Sequence, residues 1–201
     1  MNNRHTAALL LPRSLVCGIL VIFIAGAAVA QNLTLSLDPE HTVISFTLSD
    51  VLHTVRGTFQ LKQGKLQFDP ITQKVTGEIT VDAKSGQTGN GMRDRKMHRE
   101  VLESERYPEI LFRPDHIEGS ISSLGKSSVS VHGIFNVHGA DHELRVPAEI
   151  EMTSDRWKAA LHFSIPYANW GMKNPSTLFL RVSESVDIDV NATGTLEQHS
   201  N

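Results

Sequence analysis

The chain has 201 residues, 40% of them hydrophobic and 20% charged, with a formal net charge of −3. Because acidic and basic residues are interspersed and the balance is slightly acidic, a basic face for nucleic acid is excluded. The single cysteine excludes an intramolecular disulfide and a metal site built from several thiolates.

The N-terminal segment, residues 1–30, has the layout of a secretory signal peptide. It contains no Asp or Glu, Arg4 and Arg13 form a short basic region, and residues 15–28 are almost wholly apolar. Residues 28–30 (Ala-Val-Ala) fit a small-x-small cleavage site. A membrane anchor is the alternative, but the apolar run is short against the roughly 20 residues that a span needs. The sequence therefore predicts cleavage after residue 30 and a periplasmic or secreted mature chain. The cysteine lies within the signal and is removed with it.

Alternating apolar and polar side chains dominate the rest of the chain. The alternation runs through residues 42–49, 54–62, 74–83, 129–137, 144–150, 157–165 and 182–192. Such a period of two predicts strands with one face in a core and the other in water. No stretch is apolar on both faces, so the strands are expected to be antiparallel.

Turn-forming residues separate these stretches and set the expected number of strands. Residues 62–65 predict a hairpin turn, with Gly64 supplying a positive φ. Residues 69–70, 115–116 and 138–141 predict further reversals of the chain. About eight to ten strands are expected from this spacing.

The predicted strands are expected to close into a barrel, with a two-sheet sandwich as the alternative. Gly57, Gly77 and Gly133 share the inward parity of their strands. A curved barrel wall needs such places where a strand can bend. About eight strands enclose room for one small ligand or for side chains alone.

One segment, residues 90–102, breaks the strand pattern and predicts an amphipathic helix with Asn90 as its N-cap. At 3.6 residues per turn the two faces separate clearly. The apolar face holds Asp94, Met97, His98, Val101 and Leu102, and the opposite face holds Arg95, Lys96, Arg99 and Glu103. Asp94 and His98 are at i, i+4 spacing, so their side chains are expected to meet.

Several short motifs, taken in order, resemble those of the YceI-like family. The matching segments are Asp38-Pro39-x-His41-Thr42, Val55-Arg56-Gly57-x-Phe59, Gly64-x-Leu66-x-Phe68-Asp69, Arg93-Asp94, Arg106-Tyr107-Pro108-x-Ile110-x-Phe112, Val131-His132-Gly133 to His138-Gly139, and Asn169-Trp170-Gly171-Met172. The resemblance covers roughly residues 37–195. It departs in the helix, where the family often has a histidine two residues after the acid and this chain has His98.

The resemblance implies a closed antiparallel lipocalin-like β-barrel that holds a polyisoprenoid, an isoprenoid quinone or a similar lipid. The expected domain is residues 31–196, followed by a tail at 197–201. The residues expected to contact ligand in the lumen are Phe46, Phe59, Ile79, Phe112, Phe135 and Phe163. Those expected at the mouth and on a helical lid are Arg93, Asp94, Met97, His98, Val101, Tyr107 and Trp170. Besides this lipid, transient contact with a membrane is the expected partnership, with no cofactor and no nucleic acid.

Two other functions remain open at this point. Asp94 and His98 are suited to acid–base chemistry in an exported hydrolase or isomerase, and a barrel with a filled core is suited to a structural role. The chain has no Gly-x-Ser-x-Gly, no His-Glu-x-x-His and no phosphate-binding glycine loop. His132, His138 and His142 lie along one predicted hairpin, where a solvated face is favoured over a metal site. The favoured interpretation is therefore a carrier without catalytic or metal-binding residues.

Overall fold

The computed structural model describes residues 32–49, 54–176 and 181–199, so the predicted signal peptide lies outside the described residues. These residues form nine strands and one helical segment. The strands are β1 (Asn32–Leu37), β2 (Val43–Ser49), β3 (Thr54–Phe68), β4 (Val75–Gln87), β5 (Glu109–Glu118), β6 (Gly125–Val137), β7 (Ala140–Met152), β8 (Arg156–Ile165) and β9 (Val186–His199). Between β4 and β5, helix α1 (Gly91–Lys96) continues into a π-helical turn (Met97–Val101).

The strands form a closed antiparallel ring. Its order is β3, β2, β9, β8, β7, β6, β5 and β4, and β4 pairs again with β3. β1 and β2 share one place in this ring, because both pair with β3 on one side and with β9 on the other. The predicted barrel of about eight strands with one inserted helix is confirmed, and the sandwich alternative is wrong.

The period-two pattern puts one face of each strand inside the barrel. In β8, residues 157, 159, 161, 163 and 165 face the interior, and the intervening residues face solvent or the outer surface. β9 extends to His199, so residues 197–199, which the sequence assigned to a C-terminal tail, lie in the last strand.

Two predicted chain reversals are wrong, because each is a β-bulge within a strand. Residues 62–65 lie in the middle of β3, where the register with β4 shifts between Leu61 and Gln63. A Cβ at Gly64 would lie 2.9 Å from Leu37, so packing against β1, not a turn, accounts for the glycine. Residues 115–116 lie within β5, at a second register shift. A bulge adds one unpaired residue without reversing the strand. Both segments were predicted as turns because their polar residues are of the types that also form turns.

The predicted reversal at residues 138–141 is confirmed as a tight hairpin. β6 ends at Val137, β7 begins at Ala140, and these two residues are paired. The two residues between them, His138 and Gly139, have φ values of 54° and 77°. Positive φ at both central residues is the requirement of a type I′ turn, which matches the twist of the flanking strands.

The two ends of the barrel differ. At one end the connections are short, and apolar side chains close the interior around Met152, Trp157 and Ala192. At the other end, here called the mouth, lie the helical segment and the connection between β8 and β9. Among the described residues, no helix has the length and apolar composition needed to cross a membrane.

Candidate ligand-binding lumen

The interior of the barrel is a cavity of about 580 Å³, within the range of about 300–1,000 Å³ that is usual for small-molecule sites. Side chains from all nine strands line it, and almost all of them are apolar. The six residues expected in the lumen all line the cavity: Phe46, Phe59, Ile79, Phe112, Phe135 and Phe163. Their contact with a ligand stays a prediction. The side chains enclose this volume instead of filling it, which argues against the filled-core alternative.

The polar groups of the cavity wall are few, and three of them lie together at the mouth. These are Thr88, Arg93 and Lys96, on α1 and the segment that leads into it. Tyr167 also lines the cavity, but its hydroxyl donates a hydrogen bond to the Ser183 carbonyl at 2.7 Å. Burial, with a contribution from Glu184, raises the pKa of Tyr167 to about 12. The phenol therefore remains a neutral donor already engaged within the protein.

Thr88 is the centre of the polar group at the mouth. Its backbone N–H, at 2.9 Å, and its hydroxyl both donate to the Asp94 carboxylate. Arg93 in turn donates from Nε to the Thr88 hydroxyl at 2.7 Å and from Nη2 to the Thr88 carbonyl at 3.1 Å. The Arg93 guanidinium is thus bound to Thr88, and the residue lines the cavity at the mouth.

The helix presents part of the expected face to the lumen, since Met97, Val101 and Leu102 line the cavity and Asp94 and His98 do not. The predicted N-cap is confirmed, since the Asn90 side chain accepts from the backbone of Met92 and Arg93 at 3.1 Å. Met92, Arg93, Lys96, Met97 and Val101 line the cavity. Lys96, expected on the outer face, lies at the mouth, where Nζ is 3.4 Å from the Pro175 carbonyl oxygen.

Asp94 and His98 do not meet, contrary to expectation, because each has its own partners among the described residues. Asp94 is bonded to Thr88, and His98 lies 2.8 Å from the Gly86 carbonyl oxygen through Nε2 and 3.0 Å from Ser104 Oγ through Nδ1. Neither side chain lines the cavity. Turning these ionisable groups toward the connecting segments avoids their burial in an apolar lumen. The arrangement provides no acid–base pair in the cavity.

The C-terminal part of the helical segment is apolar on its inner side and packs on the mouth. Val101 and Leu102 contact a cluster that includes the buried residues Tyr167 and Met172. Met97 reaches the wall formed by Phe59 and Gly86, since a Cβ at Gly86 would lie 3.0 Å from the Met97 terminal methyl. The segment therefore covers part of the mouth.

An ion pair links the helical segment to the connection between β8 and β9. Lys173 Nζ lies 3.0 Å from Glu100 Oε2, and Arg99 donates to the other carboxylate oxygen at 2.6 Å. These hydrogen bonds, first that from Arg99 and then that from Lys173, lower the pKa of Glu100 to about 2.

Tyr107 and Trp170 lie at the mouth end of the barrel, as expected, but they pack against the β6–β7 hairpin and do not line the cavity. The Tyr107 ring packs on His138, with 4.6 Å between ring centroids. Trp170 stacks on His142 at 4.0 Å and nearly parallel. Burial lowers the pKa of His142, so the stacked imidazole is favoured in its neutral form.

Many residues of the cavity wall are missing from the sequence-based site, among them four at the mouth: Thr88, Lys96, Tyr167 and Met172. Thr88 and Tyr167 lie in connections, where neither strand nor helix periodicity assigns a direction to a side chain. Met172 falls within the Asn169-Trp170-Gly171-Met172 motif. That motif is the signal for Met172, although only its tryptophan was predicted in the site.

Comparison with known proteins matches this architecture to one family. The sequence profile of the YceI-like domain matches residues 35–194. Two solved structures share the fold. BcnA of Burkholderia cenocepacia has 16% identity and a TM-score of 0.66, and the match covers 79% of this chain and 99% of that chain. A polyisoprenoid-binding domain from Saccharophagus degradans has 16% identity and a TM-score of 0.63, and the match covers 81% of this chain and 98% of that chain.

A third similar structure is the YCEI protein of Campylobacter jejuni, at 17% identity and a TM-score of 0.56, with coverage of 72% of this chain and 86% of that chain. No curated protein matches the chain in sequence.

Proposed function

Because the chain belongs to the YceI-like family, we propose that its barrel binds one amphiphile of the polyisoprenoid or isoprenoid-quinone class and carries or stores it outside the cytoplasm. The observation that supports this most directly is the shape and chemistry of the cavity. It is an apolar lumen of about 580 Å³, packed at one end and with charged groups at the other. The structurally similar domain from Saccharophagus degradans is described as polyisoprenoid-binding.

The distribution of polarity orients the ligand. An apolar tail fits the lumen, and each methylene transferred there from water contributes about 0.8 kcal/mol. A carbonyl, hydroxyl or anionic head fits beside Arg93 and Lys96, whose side chains reach the mouth. A tail that leaves a membrane gains little, because it was already in hydrocarbon. The energetics therefore favour a carrier or reservoir that exchanges ligand with membranes.

Binding without catalysis is the role that the lumen supports best. The exported hydrolase or isomerase considered above requires Asp94 and His98 to act together. Their side chains have separate partners and lie outside the cavity wall. Thr88, Arg93 and Lys96 are suited to hold a head group, and the Asp94 carboxylate beside them is engaged by the Thr88 N–H and hydroxyl.

Two adjacent alanines of β8 provide a matched test. Ala159 lines the cavity, whereas Ala160 is exposed on the outer face. We expect Ala159→Phe to reduce the amount of hydrophobic molecule that co-purifies, and Ala160→Phe to leave it unchanged. Native mass spectrometry followed by organic extraction measures both. Leu144→Trp, which also enlarges a cavity-lining side chain, repeats the test at another position if Ala159→Phe does not fold.

The outcomes separate the candidate functions. Co-purification of an isoprenoid lipid or quinone, reduced only by the inward substitutions, supports the proposal. Folded protein that never retains or takes up such a molecule contradicts it and favours a structural role. Retention of an altered substrate fragment that depends on Asp94 and His98 would favour an enzyme.

Export is part of the proposal and has its own test. The observation behind it is the acid-free, apolar segment at residues 1–30. We expect the protein recovered from the periplasmic fraction to begin at Gln31, as determined by N-terminal sequencing. Full-length protein confined to the cytoplasm would contradict a carrier that works outside it.

A further inference from the structure

The bulge in β5 brings two consecutive side chains to the outer face of the barrel. Neighbouring residues of a regular strand point to opposite faces. Pro114 and Ile117 both line the cavity, and the register with β6 shifts between Pro114 and His116. Asp115 and His116 therefore both point outward, side by side. Bulges are over-represented next to functional sites because they re-aim a side chain in this way.

The neighbouring strand places a second imidazole beside this pair. His132 of β6 is the direct cross-strand partner of His116, and their rings stack with 4.6 Å between centroids. His132 Nδ1 lies 2.8 Å and 3.0 Å from the two Asp115 carboxylate oxygens. The Nδ1 atom of His116 also contacts Asp115. Two imidazole nitrogens therefore converge on one carboxylate.

From this arrangement we propose that Asp115, His116 and His132 bind one divalent transition-metal ion of the Zn²⁺ class on the outer face of the barrel. One ligand atom from each residue lies within 4.8 Å of the others. A Zn²⁺ ion at about 2.0–2.2 Å from nitrogen and oxygen ligands replaces the hydrogen bonds between the imidazoles and Asp115, so the three side chains must shift to surround it. Asp115 and His116 are partly exposed, with 51% and 43% of their side-chain surface accessible, so small rotations suffice. Imidazole with carboxylate is a donor set that suits Zn²⁺, Ni²⁺ and Cu²⁺.

Additional carboxylates orient the two imidazoles. His132 Nε2, the nitrogen that faces away from Asp115, lies 2.7 Å from Glu143. His116 Nε2 lies 3.7 Å from Glu118. Metal-binding histidines usually donate their second ring N–H to such a carboxylate, which holds the ring and increases its basicity as a ligand. His132 is held firmly, since only 13% of its side-chain surface is exposed.

The local charge favours a cation. Three carboxylates surround the two imidazoles. Two basic residues lie on neighbouring strand positions: Lys74, the bridge partner of His116, and Arg145, the cross-strand partner of His132. Arg145 is directed at Glu118, at 2.6 Å, and so is held away from Asp115. The site is on the opposite side of the sheet from the lumen, and the proposal is independent of the proposed lipid ligand.

The chain offers a matched control for this site. His162 lies on the outer face, with Nδ1 2.7 Å from the Asp189 carboxylate, but this pair has no second imidazole in the described structure. It reproduces one half of the proposed site without the convergence of ligands.

The test is a titration of purified, tag-free protein with Zn²⁺ by isothermal calorimetry after removal of bound metal. We expect one ion to bind per chain. The affinity is expected to be at least about tenfold weaker in His116→Gln and in His132→Gln, since loss of one ligand removes more than about 1.4 kcal/mol. In His162→Gln the affinity is expected to be unchanged. Asp115→Asn, which preserves size, is expected to weaken binding similarly. Circular dichroism checks that each variant is folded, and the exposed His116 serves if His132→Gln unfolds. Failure to bind Zn²⁺ stoichiometrically, or equal losses in the His162 variant, would overturn the proposal.

Discussion

Thr88 shows how a single side chain separates the charged residues of the helix. Its hydroxyl donates to Asp94 and accepts from Arg93. Asp94 is thereby satisfied outside the lumen, and Arg93 is held at its edge. An uncompensated carboxylate in the apolar cavity would be costly. The polar end of the site therefore depends on a threonine in the connection before the helix.

Gly89 and Gly139 have almost the same backbone conformation in different surroundings. Their φ values are 76° and 77°, which glycine adopts without a steric penalty. A Cβ at Gly89 would meet nothing within 4 Å, whereas a Cβ at Gly139 would lie 2.4 Å from the Tyr107 ring. The Tyr107 ring is confined by His138 on one side and Arg106 on the other.

We predict that Gly139→Ala lowers the free energy of unfolding more than Gly89→Ala does. Each substitution forces alanine into a left-handed conformation that costs roughly 1–2 kcal/mol. Only Gly139→Ala also displaces Tyr107. Urea denaturation followed by circular dichroism measures both variants against the parent. Equal losses would show that the Tyr107 contact contributes nothing at the hairpin.

At the scale of secondary-structure elements, the helical segment joins two different geometries. Its first part, α1, presents Arg93 and Lys96 to the mouth, and the π-helical turn that follows presents Val101. π-helical turns are rare and often occur at functional sites. The segment contacts the β8–β9 connection through the Glu100–Lys173 ion pair. This ion pair and the apolar contacts of Val101 and Leu102 hold the segment over the mouth.

The Glu100–Lys173 ion pair predicts a pH dependence of stability. The folded-state pKa of Glu100 is lowered from its usual 4.5 to about 2. A lowered folded-state pKa means that the contribution is complete above the unfolded-state value and is lost as pH falls through the folded-state value. We therefore expect the parent to melt at a higher temperature than Glu100→Gln at pH 7, with the difference shrinking between pH 4.5 and about 2.

Other carboxylates titrate in the same range, so the comparison between variants isolates Glu100. Removing its partner with Lys173→Gln is expected to reduce the same pH-dependent difference. A difference in melting temperature that stays constant down to pH 2 would contradict the assignment.

The exposed side of the helical segment predicts contact with anionic membranes. Arg95 is exposed beside the mouth, and Met92 exposes 75% of its surface there. A basic residue near an anionic surface contributes about 1 kcal/mol. We expect Arg95→Gln to weaken binding to phosphatidylglycerol vesicles roughly fivefold at low salt, as measured by sedimentation. Lys126→Gln, at the start of β6 and the opposite end of the barrel, is the matched control. Equal binding by both variants would argue against docking through the mouth.

At the scale of the whole molecule, the barrel closes because β1 and β2 complete a single position between β3 and β9. Residues 33–36 pair with the end of β3 and residues 44–49 with its beginning. One bent fifteen-residue strand therefore spans the full height of the wall. The result is a lumen that is packed at one end and open near the helix.

The volume of the lumen predicts how affinity depends on tail length. If each methylene-sized group takes up about as much space as a water molecule, about 30 Å³, the lumen holds on the order of twenty such groups. We expect the affinity for isoprenoid alcohols to increase with length, by up to about fourfold per carbon. It should then level off on the order of twenty carbons. Quenching of Trp157 fluorescence is a suitable measurement, because this residue lines the lumen.

A matched series in a variant with a smaller lumen sharpens this test. In Ala159→Phe the plateau is expected at a shorter tail, whereas Ala160→Phe should retain the parent's plateau. Affinity that keeps increasing well beyond twenty carbons, or that ignores length, would contradict binding of the tail inside the barrel.

Local sequence patterns were sufficient to predict the barrel and the residues expected in its lumen. Period-two alternation assigns inward residues such as Phe46 and Phe163 without knowledge of their neighbours, because a strand has only two faces. The hairpin at His138 and Gly139 and the N-cap at Asn90 were likewise predictable, since each depends on side chains and backbone conformations within a few residues.

Contacts between distant segments were needed to establish the bulges, the orientation of Asp94 and His98, and the grouping of polar residues. Residues 62–65 and 115–116 have turn-like composition, but pairing with both neighbouring strands keeps the chain extended. Asp94 and His98 face away from the lumen because partners for them exist in residues 86–88 and at Ser104. Asp115 and His132 are far apart in sequence and meet only through register. In each case the deciding energy comes from contacts between distant segments, which local periodicity does not contain.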